Sequence, residues 1–357
     1  KKIIFLVILI PISSFSQIIN KTLDFDGLNR EYIIYLPSNF DNTTSHPVMF
    51  NFHGGSDLAS NFIFANDMRP IADTAKFIAV YPQGAVDYEG ADPGAQPSTS
   101  WLHKAPTNHD DIFFIEAIID DLNNEYLIDQ DRIYACGYSE GAIFSYELAC
   151  RLNHKIAAIG AVSGSMLDDY YRNEYGWGPC NPSHPTSIML IPGTLDQNPH
   201  SNYNGFSYLD LPLYMSVEEI TSYWSNYNNA NPIPSVESLE DVNPYDGSTV
   251  EQNTWENPDC IKVIELKVID GDHEWPGTSG NMDINASEEI WNFVSKYDLN
   301  GAINCSSSLN LEKSNIMRPK LLKTLNILGQ NSNITKNNLV FEIYDDGSVK
   351  KRIFLDY

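Results

Sequence analysis

The sequence predicts an α/β fold: a mostly parallel sheet flanked by helices, followed by a small C-terminal β module. Short apolar segments bounded by Gly, Pro or Asp recur as far as Ile269. Segments with helical spacing lie between several of them. Past Asp298 the pattern dissolves into Asn and Ser, then resumes as short strands around an Asp-Gly turn. Strands alternating with helices imply parallel pairing through right-handed crossovers.

Residues 31–36, 47–53, 77–81, 132–138, 156–162, 187–191 and 261–269 read as strands, being short, apolar and bracketed by turn residues. Residues 111–123 and 142–152 place apolar side chains at helical spacing. Residues 216–227 open with Ser216-Val217-Glu218-Glu219, a capped helix start. Two irregular stretches, 84–108 and 167–184, are rich in Gly, Pro, Tyr and Trp. Loops that long inside a compact domain are as a rule functional or disordered. Residues 299–317 read as a linker. After it, 323–328 and 339–355 read as strands, with Asp346-Gly347 as a hairpin turn.

Residues 1–16 read as a signal peptide. Lys1 and Lys2 precede an apolar run at 3–10, and Ser14-Phe15-Ser16 supplies small residues before cleavage at Gln17. That run is too short to span a bilayer, and no later segment is long and apolar enough. Export through the periplasm follows as an expectation, with no stable membrane insertion. The formal net charge is −25, although residues 313–357 hold eight Lys/Arg against four Asp/Glu. So acidic a body repels phosphate backbones, which argues against nucleic acid as a partner. Export places the five cysteines in an oxidising setting. The odd count leaves at least one free or paired between chains. Cys136 lies in an apolar strand-like run and is expected to be a buried thiol. No Cys/His spacing suggests a metal site, and no organic cofactor is implied.

The chemistry concentrates at the ends of the expected strands. Gly137-Tyr138-Ser139-Glu140-Gly141 is a G-x-S-x-G that follows an apolar strand and opens a helical segment. That is the strand–elbow–helix setting of a nucleophile in an α/β-hydrolase. Ser139 is the expected nucleophile. Upstream, Asn51-Phe52-His53-Gly54-Gly55-Ser56 ends another strand. The backbone N–H of Gly55 or Ser56, with that of Glu140, would form an oxyanion hole. Asp196, in Gly193-Thr194-Leu195-Asp196, and His273, in Gly271-Asp272-His273-Glu274-Trp275-Pro276-Gly277, follow in the order Ser, Asp, His expected of such hydrolases. His273 would act as general base and Asp196 would fix its tautomer.

In these residues the chain resembles the secreted esterases grouped with polyhydroxybutyrate depolymerases and the feruloyl or acetylxylan esterases of carbohydrate esterase family 1. The likeness runs from Leu23 to Val294. Besides the segments above it includes Asp26-Gly27 with Arg30-Glu31-Tyr32, Val80-Tyr81-Pro82-Gln83-Gly84, Trp101, Asp110-Asp111 with Phe114-Ile115, Leu148-Ala149-Cys150, Trp224 and Cys260. Two departures concern substrate detail. Gly141-Ala142 stands where the family often has paired glycines, and Gly55-Ser56 where a Cys or Gln is common. The resemblance implies hydrolysis of polymer-linked or aryl esters: feruloyl or acetyl polysaccharide esters, or polyesters. Trp101, Trp275 and Tyr138 would read the substrate, because aromatic faces suit a hydroxycinnamoyl ring or a sugar. A serine peptidase on the same fold and a non-catalytic binding module are the alternatives. The tail, through Asn326-Ile327-Leu328-Gly329-Gln330 and the segment 343–351, resembles the sorting domain of the Bacteroidetes type IX secretion system. The expected domains are therefore a signal peptide at 1–16, an esterase domain at 17–298, a linker at 299–317 and a sorting domain at 318–357. The type IX machinery is the expected partner.

Overall fold

The computed structural model describes residues 17–87, 98–101, 111–305, 321–326, 329–330, 339–344 and 349–353. The expected leader at 1–16 lies outside them. The chain divides into two compact units between residues 306 and 307.

The first unit opens with a hairpin, β1 (Gln17–Phe25) and β2 (Leu28–Leu36). Asp26 and Gly27 take positive φ of 51° and 75° at its turn, the backbone twist that suits a tight hairpin. Next come β3 (His46–Phe52), α1 (Ala59–Ala65), α2 (Arg69–Ala75) and β4 (Ile78–Pro82). The strands β5 (Ala85–Asp87) and β6 (Ser98–Ser100) pair with each other. They are followed by α3 (Asp111–Glu125), β7 (Ile128–Tyr138), α4 (Glu140–Arg151), β8 (Ala158–Val162), α5 (Asp169–Glu174) and β9 (Ser187–Ile191). A hairpin of β10 (Phe206–Tyr208) and β11 (Leu211–Tyr214) precedes α6 (Val217–Tyr227), β12 (Ser235–Ser238), β13 (Thr249–Glu256) and β14 (Lys262–Ile269). The unit closes with α7 (Ala286–Val294) and the small hairpin β15 (Tyr297–Asp298) and β16 (Gly301–Ala302).

One ten-stranded sheet organises this unit, in the order β1-β2-β4-β3-β7-β8-β9-β14-β13-β12. From β4 to β14 every neighbouring pair is parallel, and the flanking strands are antiparallel. The parallel strands are buried on both faces, which explains their unbroken apolar runs. Val48, Phe50 and Phe52 of β3 point into one core layer with Phe114, Phe144 and Trp224. Met49 points into the other, with Phe62, Ala72 and Ile290. The capping box expected at Ser216 and Glu219 is present at the start of α6. Arg30 pairs with Asp111 at 2.7 Å and lies over the Phe114 ring at 4.0 Å, so these three family-like residues tie β2 to α3.

Several elements differ from expectation. β1, β12 and β13 were not anticipated: β1 alternates half-buried with exposed residues, and β12 is wholly exposed. An edge strand with one thinly covered face carries little hydrophobic pattern. The irregular stretch 167–184 contains α5 and is pinned to the end of α4 by a Cys150–Cys180 disulfide. Of the linker expected at 299–317, residues 299–305 belong to the first unit, and 306–317 lie outside the described residues. Residues 297–302 form the β15–β16 hairpin, and a Cys260–Cys305 disulfide holds the chain to the body. Cys136 is buried and unpaired, and its thiol donates to Asn51 Oδ1 at 3.3 Å.

The second unit contains β17 (Leu321–Leu325), β18 (Leu339–Tyr344) and β19 (Val349–Ile353), an antiparallel sheet in that order. The expected Asp346-Gly347 turn lies outside the described residues. Among the described residues, no helix is long and apolar enough to cross a membrane.

Candidate active site

The sheet order reverses at β3: the chain passes from β3 to β4 on one side and later to β7 on the other. Such a switch point opens a crevice at the carboxyl ends of the strands. Gly54 follows β3, Ser139 follows β7, Asp196 follows β9 and His273 follows β14.

Ser139 stands between β7 and α4 with φ 55° and ψ −118°, a conformation that a side-chain-bearing residue adopts only under constraint. The surrounding backbone is tightly packed. The Ser139 N–H donates to Val162 O at 2.9 Å. A methyl on Gly137 would lie 2.2 Å from the Gly141 carbonyl, and one on Gly141 would lie 2.2 Å from Phe52 O. Both elbow glycines are thus required by close backbone approach. Ala142 is accommodated from the far side. A methyl on Gly164 would sit 2.5 Å from the Ala142 methyl.

Asp196 is buried and bridges two partners. Its Oδ2 accepts from His273 Nδ1 at 2.7 Å, and its Oδ1 accepts from Asn198 N at 2.9 Å. A carboxylate there leaves the His273 proton on Nδ1 and Nε2 as the basic nitrogen. The Tyr138 hydroxyl donates to His273 O at 3.0 Å, and the two rings lie 5.0 Å apart. Burial pushes that phenol up to about 12, so it remains a donor at neutral pH. Tyr138 immediately precedes Ser139, so this contact joins the His loop to the elbow. The next residue in the loop, Glu274, is held through its backbone. The Ser163 hydroxyl donates to Glu274 O at 2.7 Å.

The segment after β3, where an oxyanion hole is expected, is arranged by His53. Gly84 N–H donates to His53 Nε2 at 2.9 Å, so the ring proton lies on Nδ1 and donates to Gly54 O at 2.7 Å. Burial lowers the His53 pKa, favouring this neutral form. A methyl on Gly54 would sit 3.4 Å from Ser139 Cβ, and one on Gly55 would sit 2.7 Å from the Glu140 carboxylate. Gly55 therefore adjoins Glu140 at the elbow. Ser56 does not serve as anticipated: its N–H donates to Thr99 O at 2.7 Å, and a committed donor is not offered to substrate.

Two expected substrate-reading residues are core residues instead. Trp101 is 1% exposed, donates to His53 O at 2.8 Å and stacks on Phe144 at 4.8 Å. Trp275 is 3% exposed, donates to Ser287 Oγ at 3.2 Å and meets Phe62 edge-on. Trp275 thus packs in the core layer with Phe62, and its ring also meets Tyr138 edge-on. Tyr138 is half-buried against the His273 ring.

Sequence reasoning missed Ser201 and His200. Ser201 is buried, with its Oγ 3.0 Å from His273 Nδ1. His200 lies 3.9 Å from Glu140 and against Tyr214. Neither belongs to a motif, and both reach the site only because the segment 196–201 folds back on itself. Among the described residues, no group of three or more His, Cys, Asp or Glu is arranged to hold a metal.

No protein-family model matches the chain. It is 24% identical over 284 residues to a bifunctional acetylxylan esterase/xylanase of Neocallimastix patriciarum, covering 79% of this chain and 35% of that protein. The chain thus spans about a third of that relative's length. It is 24% identical over 272 residues to the probable feruloyl esterase C of Aspergillus niger, covering 74% of this chain and 83% of that one. Among solved structures it is similar to an acetyl xylan esterase from Aspergillus awamori, with a TM-score of 0.54 at 13% identity, covering 77% and 98% of the two chains. Parallel strands, elbow geometry and this structural likeness agree: the chain has the α/β-hydrolase fold.

Proposed function

We propose that the protein is a serine carboxylic ester hydrolase that works through an acyl-enzyme. The observation that carries this reading is the buried Asp196–His273 pair, at 2.7 Å, beside a strained Ser139 elbow. Ser139 Oγ attacks the ester carbonyl as His273 Nε2 takes its proton. The N–H groups of Gly55 and Glu140 receive the developing oxyanion. His273 then protonates the leaving alcohol, and water repeats the cycle on the acyl-enzyme. The names of the relatives support esters carried on polysaccharide, with feruloyl or acetyl groups as the acyl part; the resemblance in sequence adds polyesters. We further propose that the protein is secreted, with residues 318–357 as a sorting module for the type IX machinery. The support is the basic tail on an acidic body and its separate compact unit.

The test is chemical. The full chain should hydrolyse nitrophenyl acetate and methyl ferulate and be labelled by a fluorophosphonate, while Ser139→Ala should lose both properties. Turnover of a peptide anilide in preference to the esters would make it a peptidase. Labelling that persists in the Ser139→Ala protein would remove Ser139 from the mechanism.

A further inference from the structure

His273 Nδ1 has two neighbours. Asp196 Oδ2 lies at 2.7 Å and Ser201 Oγ at 3.0 Å. A carboxylate only accepts, so Nδ1 carries the hydrogen. The Ser201 oxygen therefore faces an N–H and receives the second branch of a three-centre bond. Ser201 is buried, at 3% exposure. Its position follows from a chain of local bonds. Asn198 N–H donates to Asp196 Oδ1, His200 N–H donates to Asn198 Oδ1 at 3.1 Å, and Ser201 N–H donates to Asn198 O at 3.0 Å. Ser165 N–H ties the segment to β8 by donating to His200 O at 2.8 Å. The six residues from Asp196 to Ser201 thus wrap around one ring nitrogen.

We propose that Ser201 is a positioning residue that accepts from His273 Nδ1–H beside Asp196. It holds the imidazole in register with Ser139 and stabilises the imidazolium formed when Ser139 is deprotonated. No proton passes to Ser201; the Nδ1 hydrogen stays on the ring throughout. This inference rests on the esterase reading above. The other charged or titratable groups around the ring are Asp272 and Glu274 on either side in the chain, Tyr138 on the backbone carbonyl, and His200 with Glu140 beyond it. The Glu274 carboxylate is engaged by Asn281 N–H at 2.9 Å, and none of the others is bonded to Nδ1 in any described contact. Removing the Ser201 hydroxyl therefore changes the ring's own acceptor set and leaves this surrounding charge unaltered.

The experiment compares wild type, Ser201→Ala and Ser201→Thr by kcat and KM on nitrophenyl acetate across pH. It adds an imidazole 15N titration of His273 and a melting temperature for each. Loss of one acceptor to a charged group should lower plateau kcat about tenfold in Ser201→Ala, with KM little changed. The His273 titration and the rising limb of kcat should both move about one unit to lower pH. Ser201→Thr, which keeps the hydroxyl, should restore both. An alanine variant that matches wild type in rate and titration would overturn the proposal. So would equal losses in the Ala and Thr variants with no shift in titration, since that pattern belongs to packing alone. Wild-type protein that neither hydrolyses esters nor takes the fluorophosphonate would instead sink the esterase reading, and this inference with it.

Discussion

At the scale of single residues, the site separates side chains that meet the crevice from those that build its walls. Trp275 is a wall residue, packed against Phe62 and bonded to Ser287. Trp275→Ala should cost about 3–5 kcal/mol of stability, as large-to-small core changes do. It should affect nitrophenyl acetate and methyl ferulate alike. A selective rise in KM for the ferulate would return Trp275 to the substrate. Glu265 gives a pH-dependent case. It is buried on β14, and burial raises its carboxyl pKa despite hydrogen bonds from Tyr203 at 2.7 Å and Asn253 at 3.1 Å. A carboxyl with a raised folded-state pKa contributes stability below its unfolded value and loses it as pH rises through the folded one. The Tyr203 bond is strongest to the ionised form and offsets part of that loss. Tyr203→Phe should therefore destabilise more at pH 8 than at pH 4, by about 1–3 kcal/mol at the higher pH. Denaturant midpoints at the two values decide it, and equal losses would contradict the argument.

At the scale of elements, the elbow depends on how closely α4 approaches β3. A methyl at Gly141 would meet Phe52 O at 2.2 Å and His53 O at 2.7 Å. These are backbone atoms at the end of β3, next to the Gly54-Gly55 turn, and they cannot turn aside as a side chain would. Gly141→Ala should cost about 1–3 kcal/mol or more through overpacking, and should lower kcat by displacing Gly55 from Ser139. Thermal melts and ester assays read the two effects. Unchanged stability and rate would mean that α4 is free to shift. The motif at 137–141 was legible because strand, turn and helix lie in one continuous segment. The buried strands were legible too, since burial on both faces writes itself as an apolar run. β12 was not, because an exposed edge strand draws its stability from pairing with β13 and needs no pattern of its own.

At the scale of the whole molecule, the boundary of the body is covalent. Composition suggested that the body ends at Asp298, yet the Cys260–Cys305 disulfide carries it to Cys305. A chain ending at Ser308 should keep full esterase activity and a cooperative melt. A chain ending at Asp298 loses β16 and leaves Cys260 without its partner. It should lose about 2–4 kcal/mol, the usual worth of a disulfide closing a loop of this size. Reduction of the Ser308-terminated protein should lower its melting temperature in the same direction. If the Ser308 chain fails to fold, the C-terminal unit is part of the hydrolase core and the sorting proposal falls.

The sequence by itself determined the parallel α/β sheet and the turn at Ser139, and it put Asp196 and His273, which the structure pairs, at the ends of later strands. Each is written locally: in periodicity, in the need for glycine at a sharp turn, and in polar residues at the ends of apolar strands. Tertiary structure alone decided that Ser56 N–H is committed to Thr99, that Trp101 and Trp275 face the core, and that Ser201 stands beside His273. The reason is directional. Sequence separation says how near two backbones can come, but the side of a loop on which a side chain emerges is set by the strands that grip both ends of it. Those strands are joined only when the sheet has closed around its two core layers.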